Sequence, residues 1–170
     1  MKTDKFLTDE ESTHLETILK ARLQSDVRNC LLLLLSLKTG ARASEVLFLR
    51  KRDVNVFNAT VSFIGLKNGN DRQIPIEHGI FKILAGYVAE MEDDEKIFPI
   101  SYIRFSQIWA EYRPVKKKLH SLRHTVGVKV YKKSRSVHLV KTVLGHKSIQ
   151  SSMVYLDFVE SQAEMKKALT

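Results

Sequence analysis

Leu15, Ile18, Leu19 and Leu23 recur three and four residues apart, the spacing of one helical face. Thr8, with Glu11 three residues later, supplies a capping-box start, and this first helix is predicted to stop before Ser25. From about Asp26 to Thr39 the chain is apolar nearly all round, so the second helix belongs at the centre of the fold, with Gly40 as its C-terminal stop. A short helix follows over Ala43 to Leu49. The period then drops to two: Val54 and Val56, Thr60 to Ile64, and Gln73 to Ile76 read as short strands. Asn68-Gly69-Asn70 between the last two marks a hairpin, because Asn and Gly tolerate positive φ. Helical spacing returns over Gly79 to Met91, followed by a loop at Asp93-Asp94-Glu95 and a connector at Ile97-Phe98-Pro99. The remainder reads as helices over Ser101 to Arg113, Ser121 to Tyr131, Val137 to Leu144 and Ile149 to Phe158, broken at Lys132 to Ser136 and Gly145 to Ser148. The predicted fold class is mainly α with a small antiparallel β-sheet near its middle (α+β).

At 170 residues the chain reads as one domain, long enough to bury roughly 70% of its unfolded surface. Its formal charge is +9, from 28 basic and 19 acidic residues, and that charge is unevenly placed. Between Tyr112 and Leu156 there is no Asp or Glu, while eleven Lys and Arg occur. A one-sign field of that extent favours a polyanion, and a merely solvated face would include some acids. Cys30 is the only cysteine, so no intrachain disulfide forms, and its apolar run suits a buried, inert thiol in a reducing compartment. The N-terminus lacks an apolar signal segment, and the Cys30 to Leu35 run is too short to span a bilayer. A soluble cytoplasmic protein is expected.

The segment HSLRHT, residues 120 to 125, sets two histidines four apart around Arg123. Such a pair on one helix face is how a zinc protease holds its metal, but that enzyme needs a glutamate after the first histidine, where Ser121 stands. No carboxylate is near in sequence, and His138 and His146 fit no common ligand spacing. No metal and no cofactor is expected. A phosphate suits the segment better, since arginine offers a planar fork of charge-assisted donors.

Four segments then resemble, in order, the motifs of the tyrosine recombinases, the phage integrase family. TGARASEV (Thr39 to Val46) resembles the first arginine motif, and LKNGNDRQIPI (Leu66 to Ile76) the lysine-bearing hairpin. HSLRHT resembles the His-x-x-Arg box, and LGHKSIQSSMVYLDF (Leu144 to Phe158) the closing histidine and nucleophilic tyrosine. His146 follows Arg123 by twenty-three residues and precedes Tyr155 by nine, offsets typical of the family. The resemblance implies a catalytic domain in which Tyr155 attacks a DNA phosphate to give a 3′-phosphotyrosyl link and a free 5′-hydroxyl, without metal. It implies that Arg42 and Arg123 hold the non-bridging oxygens and that Lys67 protonates the leaving oxygen. It further implies that His120 moves the tyrosine proton, that His146 donates to the phosphate, and that Glu45 supports the site. Chemistry agrees: a free tyrosine, with a pKa near 10, is a poor nucleophile at neutral pH, and two arginines with a histidine favour its ionised form.

Lys116, Lys117, Lys118, Lys132, Lys133, Arg135 and Lys147 are candidate contacts to the backbone of double-stranded DNA. Tyr102, Trp109 and Tyr112 follow helical spacing, which favours core or groove packing over base stacking. His124 and His138 receive no role and are expected to be buried histidines satisfied within the fold. Residues 1–170 are read as a single catalytic domain, with a core over about 7–158 and a tail over about 159–170 that forms a short helix. The chain starts seven residues before the domain's first expected helix, so the family's N-terminal DNA-binding domain is expected to be absent. The isolated domain is expected to be monomeric, with self-association on DNA (a synaptic tetramer in the family). The Lys132 to Ser136 link lacks the glycine often found there. Two alternatives share these residues: a type IB topoisomerase that relaxes supercoils, and a DNA-binding regulator that does not cleave. The compact Lys67 hairpin and the nine-residue His146 to Tyr155 spacing favour the recombinase over the topoisomerase.

Overall fold

The structure is a computed structural model that describes residues 3–160 and 162–170; Ser161, within the expected tail, lies outside the described residues. Helix α1 (Asp9–Arg22) starts at the expected capping box: the Thr8 hydroxyl accepts from the Glu11 N–H, and the Glu11 carboxylate accepts from the Thr8 N–H. Helix α2 (Val27–Thr39) runs through the centre, with Leu31 to Leu35 wholly buried. Burial on that scale stabilises by roughly 1.5–3 kcal/mol per leucine side chain. Gly40 ends α2 in the left-handed region at φ 65°. A Cβ there would lie 2.6 Å from Leu144, so this close approach of two chain segments requires glycine. The short helix α3 (Ala43–Phe48) follows.

Strands β1 (Val54–Asn55), β2 (Thr60–Phe63) and β3 (Arg72–Pro75) form an antiparallel sheet in sequence order. Val61 pairs with Ile74 and Phe63 with Arg72, and these four side chains are buried. Helices α4 (His78–Val88) and α5 (Tyr102–Tyr112) complete the large hydrophobic cluster, to which α5 contributes buried Phe105 and Trp109. Ile97 and Phe98, read as a mere connector, are also fully buried in it.

Helices α6 (Ser121–Ser134), α7 (Val137–Leu144), α8 (Gln150–Val159) and α9 (Gln162–Leu169) follow. A second cluster joins α6, α7 and α8 through Val126, Val140, Leu144, Tyr155 and Phe158, and Phe6 closes it from the N-terminal side. Helix α6 spans both clusters: Leu122 belongs to the first, Val126 and Tyr131 to the second. It runs past Tyr131 to Ser134, beyond its expected end, because Arg135 takes the left-handed cap position at φ 53° where glycine is more usual. Among the described residues no helix is long and apolar enough to cross a membrane.

Candidate active site

Arg123 stands in the first turn of α6, 3% exposed, and its guanidinium ties two helix ends together. It donates to the carbonyl of Gly40, after α2, and to that of Leu144, at the end of α7, both at 2.8 Å. Helix C-termini carry partial negative charge, which offsets part of the cost of burying a cation. Burial, then the neighbouring Arg42 charge, push its pKa down to about 10, which leaves it cationic at neutral pH. Arg123 shares a cleft of about 280 Å³ with Arg42, Lys67, His120, Ser36 and Tyr102. Four of the expected site residues thus converge from three separate segments: the start of α3, the β2–β3 turn and the start of α6.

Lys67 is exposed at the β2–β3 turn, with φ of 51° at Lys67 and 62° at Asn68. The Gly69 N–H closes this turn on the Leu66 carbonyl at 3.1 Å. The hairpin is where Asn68-Gly69-Asn70 predicted it, but the positive φ angles fall on Lys67 and Asn68 rather than on Gly69. A lysine in the left-handed region costs of order 1 kcal/mol, and such strain clusters at functional sites.

Tyr155 and His146 are not among the residues of the cleft wall. Tyr155, on α8, is 1% exposed, and burial pushes its phenol up to about 12 against the opposing charges of Arg123 and Arg42. The His146 ring stacks on the tyrosine ring, 10° from parallel at 6.4 Å, and its Nδ1 lies 2.7 Å from Ser152 Oγ. Burial, with the charges of Arg123, Arg42 and Arg72, pushes His146 down to about 4. His120 lies at the exposed rim; desolvation and the same two arginines, Arg123 and Arg42, lower its pKa.

The expectations for two histidines need correction. His138 is exposed rather than buried. His124 is half-buried rather than buried, and it is satisfied within the fold by the Tyr155 hydroxyl, 3.2 Å from its Nδ1. Tyr102 is also turned outward, 58% exposed on the cleft wall, while Trp109 and Tyr112 are core residues as expected.

Arg72 was not singled out from the sequence. Its guanidinium pairs in bidentate fashion with buried Glu45, at 2.8 and 3.3 Å, and its Nε donates to the Val143 carbonyl at 2.8 Å. Glu45 in turn accepts from the Arg42 guanidinium at 3.1 Å and from the Arg42 backbone N–H at 2.8 Å. Burial raises the Glu45 pKa, but Arg72, the Arg42 N–H and Arg123 outweigh it and hold the carboxylate below its ordinary value. Asn70 completes the brace, its N–H donating to the Gly145 carbonyl at 2.9 Å and its amide to that of His146 at 3.1 Å. The hairpin that carries Lys67 is thereby held to Arg42 on one side and to the His146 turn on the other. A cue existed: Arg72 continues the period-two alternation of β3 on the buried face with Ile74.

Among the expected DNA contacts, Lys116, Lys118, Lys133 and Lys147 are exposed. Lys117 is turned inward, donating to the Phe6 carbonyl at 2.7 Å and to Glu11 at 2.6 Å. Lys132 pairs with Asp9, and Arg135 with Glu164 and Glu160, so the latter ties the tail helix back onto α6.

The chain is similar to Tyrosine recombinase XerA of Pyrococcus furiosus, 26% identical over 89% of this chain and 56% of that protein. It is similar also to the Integrase of Escherichia phage P2, 29% identical over 90% of this chain and 43% of that one. It therefore spans about half the length of the curated relatives it matches. Its fold matches the XerH site-specific recombinase bound to difH substrate in a pre-cleavage complex, with a TM-score of 0.74, 22% identity, and coverage of 100% of this chain and 55% of that one. The catalytic domain of bacteriophage HP1 integrase matches with a TM-score of 0.67 and 23% identity, covering 96% of this chain and 92% of that domain. Residues 5–161 match the phage integrase family, and the chain belongs to it.

Proposed function

We propose that this chain is the catalytic domain of a site-specific DNA recombinase that cleaves and rejoins strands of double-stranded DNA through a 3′-phosphotyrosyl intermediate at Tyr155. The observation that carries this reading is one cleft shared by Arg42, Lys67, His120 and Arg123, with a phenol held beside it. Among the described residues two N–H groups of Arg123 are engaged within the fold, and its other N–H groups serve the non-bridging oxygens of a scissile phosphate together with Arg42. Lys67, on its strained turn, protonates the leaving 5′-oxygen. His146, with Ser152 donating to its Nδ1, keeps a hydrogen on Nε2 for a phosphate oxygen. His120, at the rim, assists transfer of the phenol proton. Glu45 positions Arg42.

Because Tyr155 is buried, attack requires the side chains that cover the phenol to give way to the phosphate, and the described arrangement is a resting one. Lys116, Lys118, Lys132, Lys133, Arg135 and Lys147 flank the duplex, its partner in the cytoplasm, and copies assemble on the DNA for strand exchange. Residues 1–170 act as the catalytic unit, with the tail after about residue 158 as an appendage. The test is incubation with a pool of nicked random-sequence duplexes in EDTA, followed by a denaturing gel. A protein–DNA adduct that disappears in Tyr155→Phe is expected; an adduct that persists in that variant or that needs divalent metal overturns the mechanism. Relaxation of a supercoiled plasmid by monomeric protein turns the reading toward a type IB topoisomerase.

A further inference from the structure

In the resting site the tyrosine hydroxyl meets His124, a residue to which neither motif nor charge pattern assigns a part. The contact is Nδ1 to Oη at 3.2 Å, and it joins successive turns of chemistry on α6 to the nucleophile on α8. The imidazole is fixed from several sides. The His120 ring stands edge-on at 4.7 Å, and the Phe158 ring meets it edge-on at 6.0 Å. The His124 backbone N–H donates to the His120 carbonyl at 3.3 Å. On its other side His124 lines a second, basic cleft of about 470 Å³ with Asp4, Lys5, His120 and the three lysines Lys116, Lys117 and Lys118.

We infer that His124 is a positioning residue for Tyr155: its unprotonated Nδ1 accepts the phenol hydrogen bond and so fixes the direction of the hydroxyl. The inference rests on the recombinase reading for its consequence, though not for the contact itself. Burial drives His124 down to about 4 and the phenol up to about 12, so at neutral pH both are uncharged. Between a neutral imidazole and a neutral phenol, the O–H donates and the nitrogen accepts. A phenol whose hydrogen is engaged by His124 keeps its oxygen lone pairs free of it, and a lone pair is what must reach phosphorus. A freely rotating hydroxyl would direct its hydrogen toward the phosphate oxygens as often as its lone pair toward phosphorus. His124 reduces that loss in the way that any well-aimed second group orients a reacting one. Protonation of His124 would turn the acceptor into a donor and abolish the arrangement.

The contact is tested without DNA. Long-range proton–nitrogen spectra of the six histidines at pH 7, with His124 assigned by its loss in His124→Asn, report which ring nitrogen carries hydrogen. The Nε2–H tautomer is expected, with an Nδ1 resonance that moves in Tyr155→Phe while those of His14, His78 and His138 do not. An Nδ1–H tautomer, or a His124 signal indifferent to Tyr155→Phe, overturns the inference. The consequence is read from the rate of adduct formation on the nicked random-sequence duplexes. His124→Leu, which has no acceptor, should slow it roughly tenfold or more, and His124→Asn, whose Oδ1 stands where Nδ1 stood, should recover most of that loss at an equal melting midpoint. Equal rates in the Leu and Asn variants overturn a positioning role. If the wild type forms no adduct at all, the recombinase reading fails, and the contact stands or falls on the spectra alone.

Discussion

Glu45 carries a negative charge into a region where Arg42, Arg72 and Arg123 all bear on it, and its side chain has no exposed surface. Removing one partner from such a buried pair leaves the other charge uncompensated, at a cost of roughly 3–5 kcal/mol. Arg72→Met is therefore expected to lower the urea midpoint strongly, and Arg72→Met with Glu45→Met to recover much of the loss. Equal stability of the single and double variants would show that the pair itself matters little. Protonation acts on the same site in a defined direction. His146 and His124 sit below their ordinary value of 6.5, each at about 4, so the unfolded chain binds protons before the folded one. Their stabilising effect is complete above about pH 6.5 and is lost as the pH falls toward 4. Glu45, held below its ordinary 4.5, adds a further loss as the pH falls below that value. Melting midpoints across pH 7 to 4 should fall throughout, and His146→Gln should flatten the upper part of that curve.

The packing of α8 on α6 turns on one position. A Cβ at Gly127 would lie 2.3 Å from Tyr155 Cε1 and 2.4 Å from its Cζ, closer than real contacts allow. Gly127→Ala must displace the tyrosine ring or part the helices, an overpacking cost of typically about 1–3 kcal/mol. Nitration of Tyr155, followed by peptide mass spectrometry, should rise from near nothing in the wild type, where the residue is 1% exposed, to a measurable level in the variant. Elements whose causes are local were readable in the chain. The capping box of α1, the apolar run of α2 and the bounds of α7 all follow from neighbours within a few residues. What escaped was set by distant partners. Lys117 turns inward because Glu11 and the Phe6 carbonyl, over a hundred positions away, receive it. His124 meets Tyr155 across 31 positions, a contact that no spacing rule on α6 reveals. Arg135 takes a left-handed cap without glycine and pairs with Glu164 and Glu160 of the following segments. For the same reason the cleft residues could be named by motif, while the brace that holds them, Arg72 with Asn70, could not.

At the scale of the whole molecule, the excess of nine positive charges is divided between groups engaged within the fold and groups facing solvent. Lys117 and Lys118 are adjacent in sequence and opposite in this respect. Both line the basic cleft beside His120 and His124, but the Lys117 ammonium is tied to Glu11 with 11% of its side chain exposed, whereas Lys118 is exposed to solvent. Each lysine that neutralises a DNA phosphate releases condensed counterions, so the logarithm of the binding constant falls with the logarithm of salt concentration by about 0.9 per contact. Anisotropy titrations with a random-sequence duplex over a series of salt concentrations should therefore separate the two residues. Lys118→Ala should weaken binding and reduce the salt slope by roughly one contact, with the melting midpoint unchanged. Lys117→Ala should leave the slope as it is and lower the midpoint, since it breaks the link between the N-terminal segment and the start of α6. A reduced slope in Lys117→Ala would mean that the fold releases this lysine to the DNA on binding. An unchanged slope in Lys118→Ala would move the duplex away from the basic cleft and onto the α6–α7 side, where Lys133 and Lys147 are exposed.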